Sequence, residues 1–198
     1  MIKFAQSNNL ILFSGGLDST LLLYLHLKQV KLTTYVLTIN KTPGLVAPIA
    51  EPIIQWMRNR FGRDDIQHYI LPSDRDISKD TILGLIRPFK DQYPTPDCVY
   101  SATTLNPDND YLREISSEPQ RNTIQKGVSN LDGIPWYKPF SHLHKKDIVR
   151  IYRDEDITDL MWMTRSCEWT ADIPTPDPGL GHCGQCWWCK ERIWGLEP

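Results

Sequence analysis

The fold of this chain is decided by residues 9–28, NLILFSGGLDSTLLLYLHLK. Residues 9–13 are an apolar run that predicts a short buried strand, and the run stops at Ser14, where two glycines follow. Residues 18–28 contain no glycine or proline and many helix-forming side chains, which predicts a helix. A strand that turns through glycines directly into a helix is typical of α/β proteins, where ligands bind at the carboxyl ends of the strands. We therefore expect a ligand to bind at this turn.

Strands and helices alternate along the rest of the sequence. The patterns of apolar, β-branched and turn residues predict strands at 32–39, 66–71 and 98–102 and helices at 48–61, 81–90 and 145–152. Residues 135–140 are a fifth strand or an extended loop, and residues 103–133 are too polar and turn-rich to assign. This alternation predicts an α/β fold, an open parallel sheet of about five strands with helices on both faces.

The composition is typical of a soluble globular protein. The 198 residues include 22 Lys and Arg against 24 Asp and Glu, a formal net charge of −2, which gives no support to a general nucleic-acid binder. The longest apolar run near the start, residues 21–25, is too short to span a bilayer, and no secretory signal is recognisable. We expect a cytoplasmic protein with a main domain over residues 1–160 and a small C-terminal segment over residues 161–198.

Four of the five cysteines lie together near the C-terminus. Their spacing is C-x15-C-x2-C-x2-C, formed by Cys167, Cys183, Cys186 and Cys189. Four thiolates this close, in a chain without an export signal, fit a tetrahedral zinc site better than disulfides. Because four thiolates leave no open coordination position, we expect a structural zinc in a small knuckle. Buried cysteines without a metal, and a redox role for the last two, are the alternatives.

The turn after the first strand has the composition of a phosphate-binding loop. Its glycines let the backbone pass close to a bulky anion, and the N–H groups at the start of the following helix favour phosphate. Ser14, Ser19 and Thr20 add hydroxyl groups, and the Asp18 carboxylate suits Mg²⁺ or a role in positioning the loop. The turn lacks the Lys-Ser/Thr of the P-loop and the spacing of G-x-G-x-x-G. The alternative is an ordinary glycine turn with Asp18 or Ser19 as the helix cap.

Three segments resemble known families. The residues SGGLDST at 14–20 resemble the S-G-G-x-D-S signature of the N-type ATP pyrophosphatases, the PP-loop superfamily. Residues 139–148, PFSHLHKKDI, are similar to the P-L-x-x-x-x-K-x-x-I segment of that superfamily, with Phe140 in place of leucine. Cys167 and the later run GHCGQCWWCKER at 181–192 resemble the 7-cyano-7-deazaguanine synthases of queuosine precursor biosynthesis. The similarity therefore covers the two ends of the chain, and the middle carries no recognised motif.

This resemblance implies a HUP-like fold of the adenine nucleotide alpha hydrolase type and the activity of an ATP-dependent carbon–nitrogen ligase. The family adenylates the carboxylate of 7-carboxy-7-deazaguanine and uses ammonia to form the amide and then the nitrile, 7-cyano-7-deazaguanine. The implied cofactors are ATP, Mg²⁺ and Zn²⁺, and the implied partners are the deazapurine carboxylate, ammonia and a second copy of the chain in a homodimer. Neither a membrane nor a nucleic acid is expected as a partner. The sequence does not decide whether AMP or ADP is formed.

The resemblance also assigns roles to residues. The nucleotide-binding residues are implied to be Ser14, Gly15, Gly16, Leu17, Asp18, Ser19 and Thr20. The catalytic residues are implied to be Asp18, Ser19 and Lys145. Lys145 takes the place of the family's lysine, which is expected to contact phosphate or to neutralise charge in the transition state. The alternative for Lys145 is a solvated lysine on a helix face beside Lys146.

The segment after the predicted fourth strand departs from the family pattern. Where the family has a P-x-R-N-like element, residues 98–108 read CVYSATTLNPD. They are weakly similar to the A-T-G-H-N-x-D-D element of tRNA-modifying relatives, which implies Asn106, Asp108 and Asp110 as adenylate or Mg²⁺ contacts, although polar loop residues are the favoured interpretation. Two alternatives therefore stay open: a PP-loop enzyme that adenylates a tRNA base or a protein carboxyl end, and a nucleotide-binding homologue without turnover.

Several residues outside these motifs receive weaker assignments. His142 and His144 are two positions apart, which permits a metal role, although ordinary loop or core histidines are favoured. Arg165 and Arg192 flank the metal-binding cysteines, and one of them is a candidate for facing an acidic substrate. Cys98 is expected to be a buried strand cysteine without a functional role.

Overall fold

The computed structural model describes residues 2–40, 47–72, 95–114, 127–131, 133–167 and 182–198. Within these ranges the chain forms six strands and six helices. In chain order they are β1 (Asn9–Leu12), α1 (Leu17–Gln29), β2 (Thr34–Asn40), α2 (Ala47–Phe61), β3 (Ile66–Pro72), β4 (Cys98–Tyr100), α3 (Asp110–Glu114), β5 (Gly127–Leu131), β6 (Ile134–Lys138), α4 (Lys145–Asp154), α5 (Thr158–Met163) and α6 (Trp187–Leu196). The predicted helix at 81–90 lies outside the described residues.

The six strands form one sheet in the order β3-β2-β1-β4-β6-β5. All neighbours from β3 to β6 are parallel, and Ile11 of β1 lies beside Val36 of β2 and Tyr100 of β4. The predicted α/β fold with an open, mostly parallel sheet flanked by helices is therefore confirmed. The five strands from β3 to β6 are the predicted parallel strands, and β5 adds a sixth, which pairs antiparallel with β6 at the edge. Its Val128 side chain is 55% exposed, and a strand that faces water shows no apolar run from which it could be predicted.

The larger part of the core lies on one face of the sheet. This face carries Ile11, Val36 and Tyr100, and apolar side chains of α1, α2 and α4 pack against it. Helix α1 is buried on nearly all sides, which explains why its sequence is a run of leucines and not an amphipathic pattern. The opposite face carries a second apolar cluster that includes Leu10 and Val99. Among the described residues, no helix is long and apolar enough to cross a membrane.

Several elements differ from the sequence-based expectations. Strand β4 ends at Tyr100, two residues before its predicted end, and Ile134–Lys138 is a strand, which decides between the strand and the loop expected there. Helices α3 and α5 are five and six residues long, too short to show a helical period in the sequence. Helix α6 lies in the cysteine-rich tail, whose residues indicated a metal knuckle and not a helix.

The C-terminal helix packs against the main body of the protein. Helix α6 lies against α4, and Leu196 packs onto the larger core. The indole N–H of Trp187 donates a hydrogen bond to the Leu112 carbonyl of α3 at 2.8 Å. The predicted division into two domains at residue 160 stays a prediction.

The strand order places the loop after β1 at a switch in the topology. From β1 the chain builds β2 and β3 on one side, and it then returns to β4 on the other side of β1. A crevice forms at the carboxyl ends of the strands where the order reverses in this way, and it is the usual ligand site of open α/β sheets. Residues 13–16 enter this crevice directly from β1.

Candidate functional site

The turn between β1 and α1 needs glycine at its first bend. Gly15 has a φ of +71°, a region that side chains other than glycine adopt at a cost. A Cβ atom on Gly15 would also lie 3.0 Å from Cγ2 of Ile49, which belongs to α2. At Gly16, the N-cap of α1, a Cβ atom would lie 3.1 Å from Oγ of Ser14. The two glycines therefore let the backbone turn sharply from β1 into α1 while it passes close to α2.

Two serine hydroxyls fix the shape of this loop. The Ser14 N–H donates to Oγ of Ser19 at 3.2 Å, and the Ser19 hydroxyl donates to the Gly16 carbonyl at 3.2 Å. The first intrahelical bond of α1 runs from the Thr20 N–H to the same carbonyl at 3.0 Å. The N–H groups of residues 17–19 precede this bond, so that the helix itself offers them no carbonyl partner. With Gly16 as the cap, the N-cap residue supplies no side-chain hydrogen bond to them, and N–H groups at such a helix start are suited to an anion.

Lys145 is buried beside this loop. Its side chain is 4% exposed, and its ammonium donates to Oδ2 of Asp18 in α1. This burial excludes the alternative of a solvated lysine, whereas the neighbouring Lys146 lies over the Trp194 ring at 5.4 Å. The other oxygen of Asp18, Oδ1, is buried and has no hydrogen-bond partner among the described residues. The structure thus brings Asp18 and Lys145 together, and their catalytic roles stay predictions.

Glu191 belongs to this site, although the sequence analysis assigned it no role. Its side chain is 1% exposed in α6, and Oε2 lies 3.4 Å from Nζ of Lys145. Gly195, one turn further along α6, lies so close to α4 that a Cβ atom would be 2.6 Å from Cγ of Lys145. The signal in the sequence was an acidic residue two positions after the last cysteine, but its meaning depends on the packing of α6 against α4.

The segment before Cys167 joins the loop to the cysteine cluster. The Arg165 N–H donates to the Gly15 carbonyl at 3.0 Å. The guanidinium of Arg192, which is 4% exposed, donates to Oγ1 of Thr164 at 2.6 Å and to the Met161 carbonyl at 2.9 Å. Arg192 is therefore engaged with protein oxygens, and it fastens α6 to the segment that touches the loop.

The four cysteine sulfurs converge on one point. All four Sγ atoms lie within 4.8 Å of one another, and the pairs Cys183–Cys189 and Cys167–Cys186 are each 3.9 Å apart. Metal–sulfur bonds of about 2.3 Å in a tetrahedral site separate the sulfurs by about 3.8 Å. The four thiols are free, not disulfide-bonded. This donor set therefore fits a single tetrahedral metal ion.

Hydrogen bonds prepare one of these thiols for a metal. Burial alone would raise the pKa of Cys183, but hydrogen bonds from the N–H groups of Cys186 at 3.2 Å and Gln185 at 3.4 Å, together with the thiols of Cys167 and Cys186, lower the pKa to about 7. Burial raises the pKa of Cys186 and of Cys189. A metal ion replaces the protons of such thiols when it binds. Gly184, with a φ of +70°, makes the turn that directs these N–H groups to the sulfur.

The remaining candidate residues are spread over the loops near the site. Asn106 is buried, and its carbonyl accepts a hydrogen bond from Nδ1 of His144 at 2.8 Å. Asp108, Asp110 and His142 are exposed. The segment after β4 therefore lies against the loop that leads into α4, and any contact of its carboxylates with a nucleotide or Mg²⁺ stays a prediction.

Cys98 is buried in β4, as predicted, and it is part of a polar cluster. Its Sγ lies 2.7 Å from Oδ1 of Asn9 and donates to it. Nδ2 of Asn9 in turn donates to Nε2 of His26 at 2.8 Å. Burial raises the pKa of the Cys98 thiol, so the group stays protonated and unreactive.

Comparison with known proteins finds only distant structural similarity. No protein-family profile and no curated protein matches the sequence. The U34-tRNA thiolase NcsA from Methanococcus maripaludis, solved with its [4Fe-4S] cluster, is 13% identical with a TM-score of 0.49, and the similarity covers 83% of this chain and 61% of the thiolase. The chain thus spans about three fifths of the length of that protein.

Two further structures are similar at the same level. The NH3-dependent NAD synthetase from Campylobacter jejuni, in complex with the nitrate ion, is 13% identical with a TM-score of 0.46, covering 79% of this chain and 68% of the synthetase. A predicted subunit of tRNA methyltransferase from Methanocaldococcus jannaschii is 17% identical with a TM-score of 0.39, covering 74% of each chain. Similarity this low assigns no function, which we therefore infer from the residues of the site.

Proposed function

We propose that this chain is a PP-loop ATP pyrophosphatase of the 7-cyano-7-deazaguanine synthase type. It adenylates the carboxylate of 7-carboxy-7-deazaguanine and uses ammonia to form the amide and then the nitrile. The observation that carries the proposal is the contact of the buried Lys145 with Asp18 at the glycine loop. The motif and the spacing of the four cysteines, which resemble that family, supply the substrate class.

The loop has the donors that a triphosphate needs. The N–H groups of residues 17–19 and the positive end of α1 favour the β- and γ-phosphates. The Lys145 ammonium adds a full positive charge in a buried setting, where it is screened little by water. Asp18 fits Mg²⁺, since Oδ1 is buried and without a hydrogen-bond partner in the described part of the chain and Mg²⁺ binds through one or two carboxylates together with substrate phosphates.

The chemistry solves the problem that a carboxylate is a poor acyl donor. A carboxylate oxygen attacks the α-phosphorus, the bond to the β-phosphate oxygen breaks, and pyrophosphate leaves. The nitrogen of ammonia then attacks the acyl carbon, AMP departs with the former carboxylate oxygen, and loss of a proton gives the amide. A second ATP activates the amide oxygen in the same way, and loss of AMP and two protons gives the nitrile. The protein aligns these groups and neutralises charge on the phosphates, the role proposed for Lys145.

A zinc ion is the proposed occupant of the four-cysteine cluster. Sulfur pairs 3.9 Å apart match the edge of a single tetrahedral ion. A [4Fe-4S] cluster, as in the thiolase structure, bonds each thiolate to a different iron and so needs sulfurs further apart. Zinc held by four thiolates has no position for a substrate, so its proposed role is structural. A site of this kind needs reduced thiols, which supports the proposed cytoplasmic location.

The test is a product assay with an acceptor panel. The purified protein is incubated with ATP, Mg²⁺, ammonium and 7-carboxy-7-deazaguanine, and AMP, pyrophosphate and the nitrile are measured. We expect all three, and with Lys145→Met we expect each to form about a hundredfold or more slowly, at a rate that can still be measured. The melting temperature of the variant is measured as well, because removal of Lys145 leaves buried carboxylates without their cation. AMP release with a tRNA or a protein carboxyl end, but not with the deazapurine, would support the alternative acceptor. Tight ATP binding without turnover of any acceptor would identify a homologue that has lost its activity.

A further inference from the structure

We propose that Glu191 is a positioning residue that holds Lys145 at the phosphate loop when Asp18 binds Mg²⁺. The inference rests on the proposed ATP chemistry. It assigns a role to a buried carboxylate to which the sequence motifs gave none.

Three charged side chains, two of them buried and Asp18 partly exposed, form a row across the interface of α1, α4 and α6. Lys145 contacts Asp18 on one side and lies 3.4 Å from Oε2 of Glu191 on the other. The side chains of Asp18, Lys145 and Glu191 are 17%, 4% and 1% exposed. A carboxylate this deeply buried is strongly unfavourable unless a cation compensates it. Lys145 is the cation in ion-pair distance of Glu191 within the described ranges, so the two are electrostatically linked.

The lysine has more donors than one carboxylate uses. An ammonium group carries three N–H donors. One is donated to Asp18. Oε2 of Glu191 lies 3.4 Å from Nζ, at ion-pair distance and without a hydrogen bond between them, so Glu191 attracts the ammonium group through its charge. The donors that Asp18 does not use are left for phosphate oxygens.

Asp18 is the residue of this row that would also hold Mg²⁺. With a magnesium nucleotide bound, the Asp18 carboxylate would share its charge with the metal, and its attraction for the ammonium group would weaken. If Asp18 were the only anionic partner, the lysine would then be free to leave its place. Glu191, on the other side of the ammonium group, would keep Lys145 beside the phosphates.

Helix α6 holds the stem of the lysine as well as its charge. Gly195 is four residues after Glu191 and therefore on the same face of α6. A Cβ atom on Gly195 would lie 2.6 Å from Cγ and 3.1 Å from Cβ of Lys145. The aliphatic part of the Lys145 side chain thus lies directly on the α6 backbone, while Glu191 lies beside its ammonium group. Glu191 and Gly195 together define the position of Lys145 on α6.

The first test removes the charge of the Glu191 side chain and keeps its shape. For Glu191→Gln we expect kcat of ATP–pyrophosphate exchange to fall about tenfold or more, while KM for the magnesium nucleotide changes by less than about threefold. Glu197→Gln, at the exposed end of the same helix, is the matched control and is expected to behave like the wild type. Melting temperature and metal content are measured for each variant, so that loss of folding is recognised.

A second background separates positioning from a general structural role. In Lys145→Met, the added Glu191→Gln change should cause no further loss of exchange, because Glu191 then has no lysine to hold. A merely structural residue would lower the rate in both backgrounds. If Glu191→Gln does not fold, Glu191→Asp keeps the charge but shortens the side chain, and we expect the same split between kcat and KM with a smaller loss.

The outcomes distinguish this inference from the proposed function. Absence of exchange in the wild type with every acceptor contradicts the proposed function and, with it, this inference. Exchange in the wild type with an unchanged rate in folded Glu191→Gln overturns the inference and leaves the proposed function standing. A loss that is equal in the wild-type and Lys145→Met backgrounds also overturns it.

Discussion

At Gly15 two constraints coincide, a φ of +71° and a contact of 3.0 Å between a would-be Cβ atom and Ile49. Each alone disfavours a side chain, and together they make the loop dependent on glycine. Neighbouring hydroxyls then hold the loop in shape through Ser14 and Ser19. Single residues thus decide whether the helix start stays accessible to an anion.

Gly15→Ala is expected to weaken both folding and nucleotide binding. The left-handed conformation costs alanine about 1–2 kcal/mol, and the contact with Ile49 adds about 1–3 kcal/mol of overpacking. Urea unfolding and titration with magnesium ATP measure the two effects. Gly133→Ala is the control, because Gly133 has a φ of +88° with nothing within 4 Å of its Cβ position, so it reports the conformational cost alone. Equal destabilisation by the two variants would contradict the role of the Ile49 contact.

His26 makes the stability depend on pH. Burial, with the nearby charge of Arg63, lowers the pKa of His26 to about 3, whereas an unfolded chain has a pKa near 6.5. Between these values the unfolded state binds more protons than the folded state. Stability from this group is therefore complete above pH 6.5 and is lost as the pH falls towards 3, by at most about 1.4 kcal/mol per pH unit.

The measurement compares unfolding free energies across this range for the wild type and His26→Gln. The variant should show a shallower loss on acidification, since the remaining carboxylates titrate in both proteins. Replacement of the exposed His142 by Gln is the control. It should leave the slope of the unfolding free energy against pH as it is in the wild type. An identical slope in wild type and His26→Gln would contradict a neutral buried His26.

At the scale of elements, α6 combines functions that the sequence showed separately. It follows Cys186 directly, and it carries Cys189, Glu191, Arg192 and Gly195. These residues reach the cysteine cluster, the lysine, the segment before Cys167 and the α4 backbone. The helix therefore connects the cysteine cluster to the lysine beside the glycine loop.

Gly195→Ala tests the close packing of α4 and α6. In an isolated helix, alanine would stabilise by about 1 kcal/mol relative to glycine. Here the added methyl would lie 2.6 Å from Lys145 Cγ and 3.3 Å from the Lys145 backbone, so we expect a net destabilisation of about 1–2 kcal/mol together with a lower exchange rate. Chemical denaturation measures whether the free energy of unfolding falls or rises. A stabilised variant with normal activity would show that the helices do not meet as described.

Much of the fold could be predicted, because local sequence patterns determine many of its strands and helices. The strand–glycine–helix unit at 9–28 and the helix from Lys145 are encoded in contiguous residues, and the structure agrees with both. Strand β5 could not be predicted, since an edge strand with an exposed side chain such as Val128 lacks an apolar run. The order of the strands is also a matter of long-range pairing, which no local pattern contains.

The candidate site divides in the same way. The glycine loop and the four cysteines were found from motifs, because their geometry comes from short-range spacing. The role of Glu191 was missed, because Glu191 lies 46 residues after Lys145 in the sequence (191 minus 145). The two side chains come together only when α6 packs on α4. Lys145 was a predicted catalytic residue, and the structure buries it beside the loop. Polar loop residues were the favoured interpretation of Asp108 and Asp110, and both are exposed.

Across the whole molecule, the cysteine cluster and the phosphate loop are joined by a short path. Cys167 is two residues after Arg165, whose N–H bonds the Gly15 carbonyl. From the other side, Arg192 ties α6 to the same segment through Thr164. We therefore expect a metal that orders the cluster to order the Arg165 side of the loop as well. Coupling of this kind between two sites is reciprocal.

Loss of the metal should lower stability and weaken nucleotide binding together. Cys186→Ser is expected to release metal and lower the melting temperature, because thiolate–metal binding energy contributes to folding. Cys98→Ser, outside the cluster, should keep its full metal content. In the wild type, magnesium ATP should slow the release of metal to a chelator. Unchanged metal content in Cys186→Ser, or release that is indifferent to nucleotide, would contradict the coupling.

Adenylation of a carboxylate can be followed through its oxygen atom. The carboxylate substrate is labelled with a heavy oxygen isotope, and the products of one turnover with ATP and ammonium are weighed by mass spectrometry. If the oxygen attacks the α-phosphorus of an ATP whose β- and γ-phosphates are held at the glycine loop, the label appears in AMP, and pyrophosphate stays unlabelled. Label in inorganic phosphate, or no transfer from the carboxylate to any phosphorus, would contradict the activation chemistry assigned to this site.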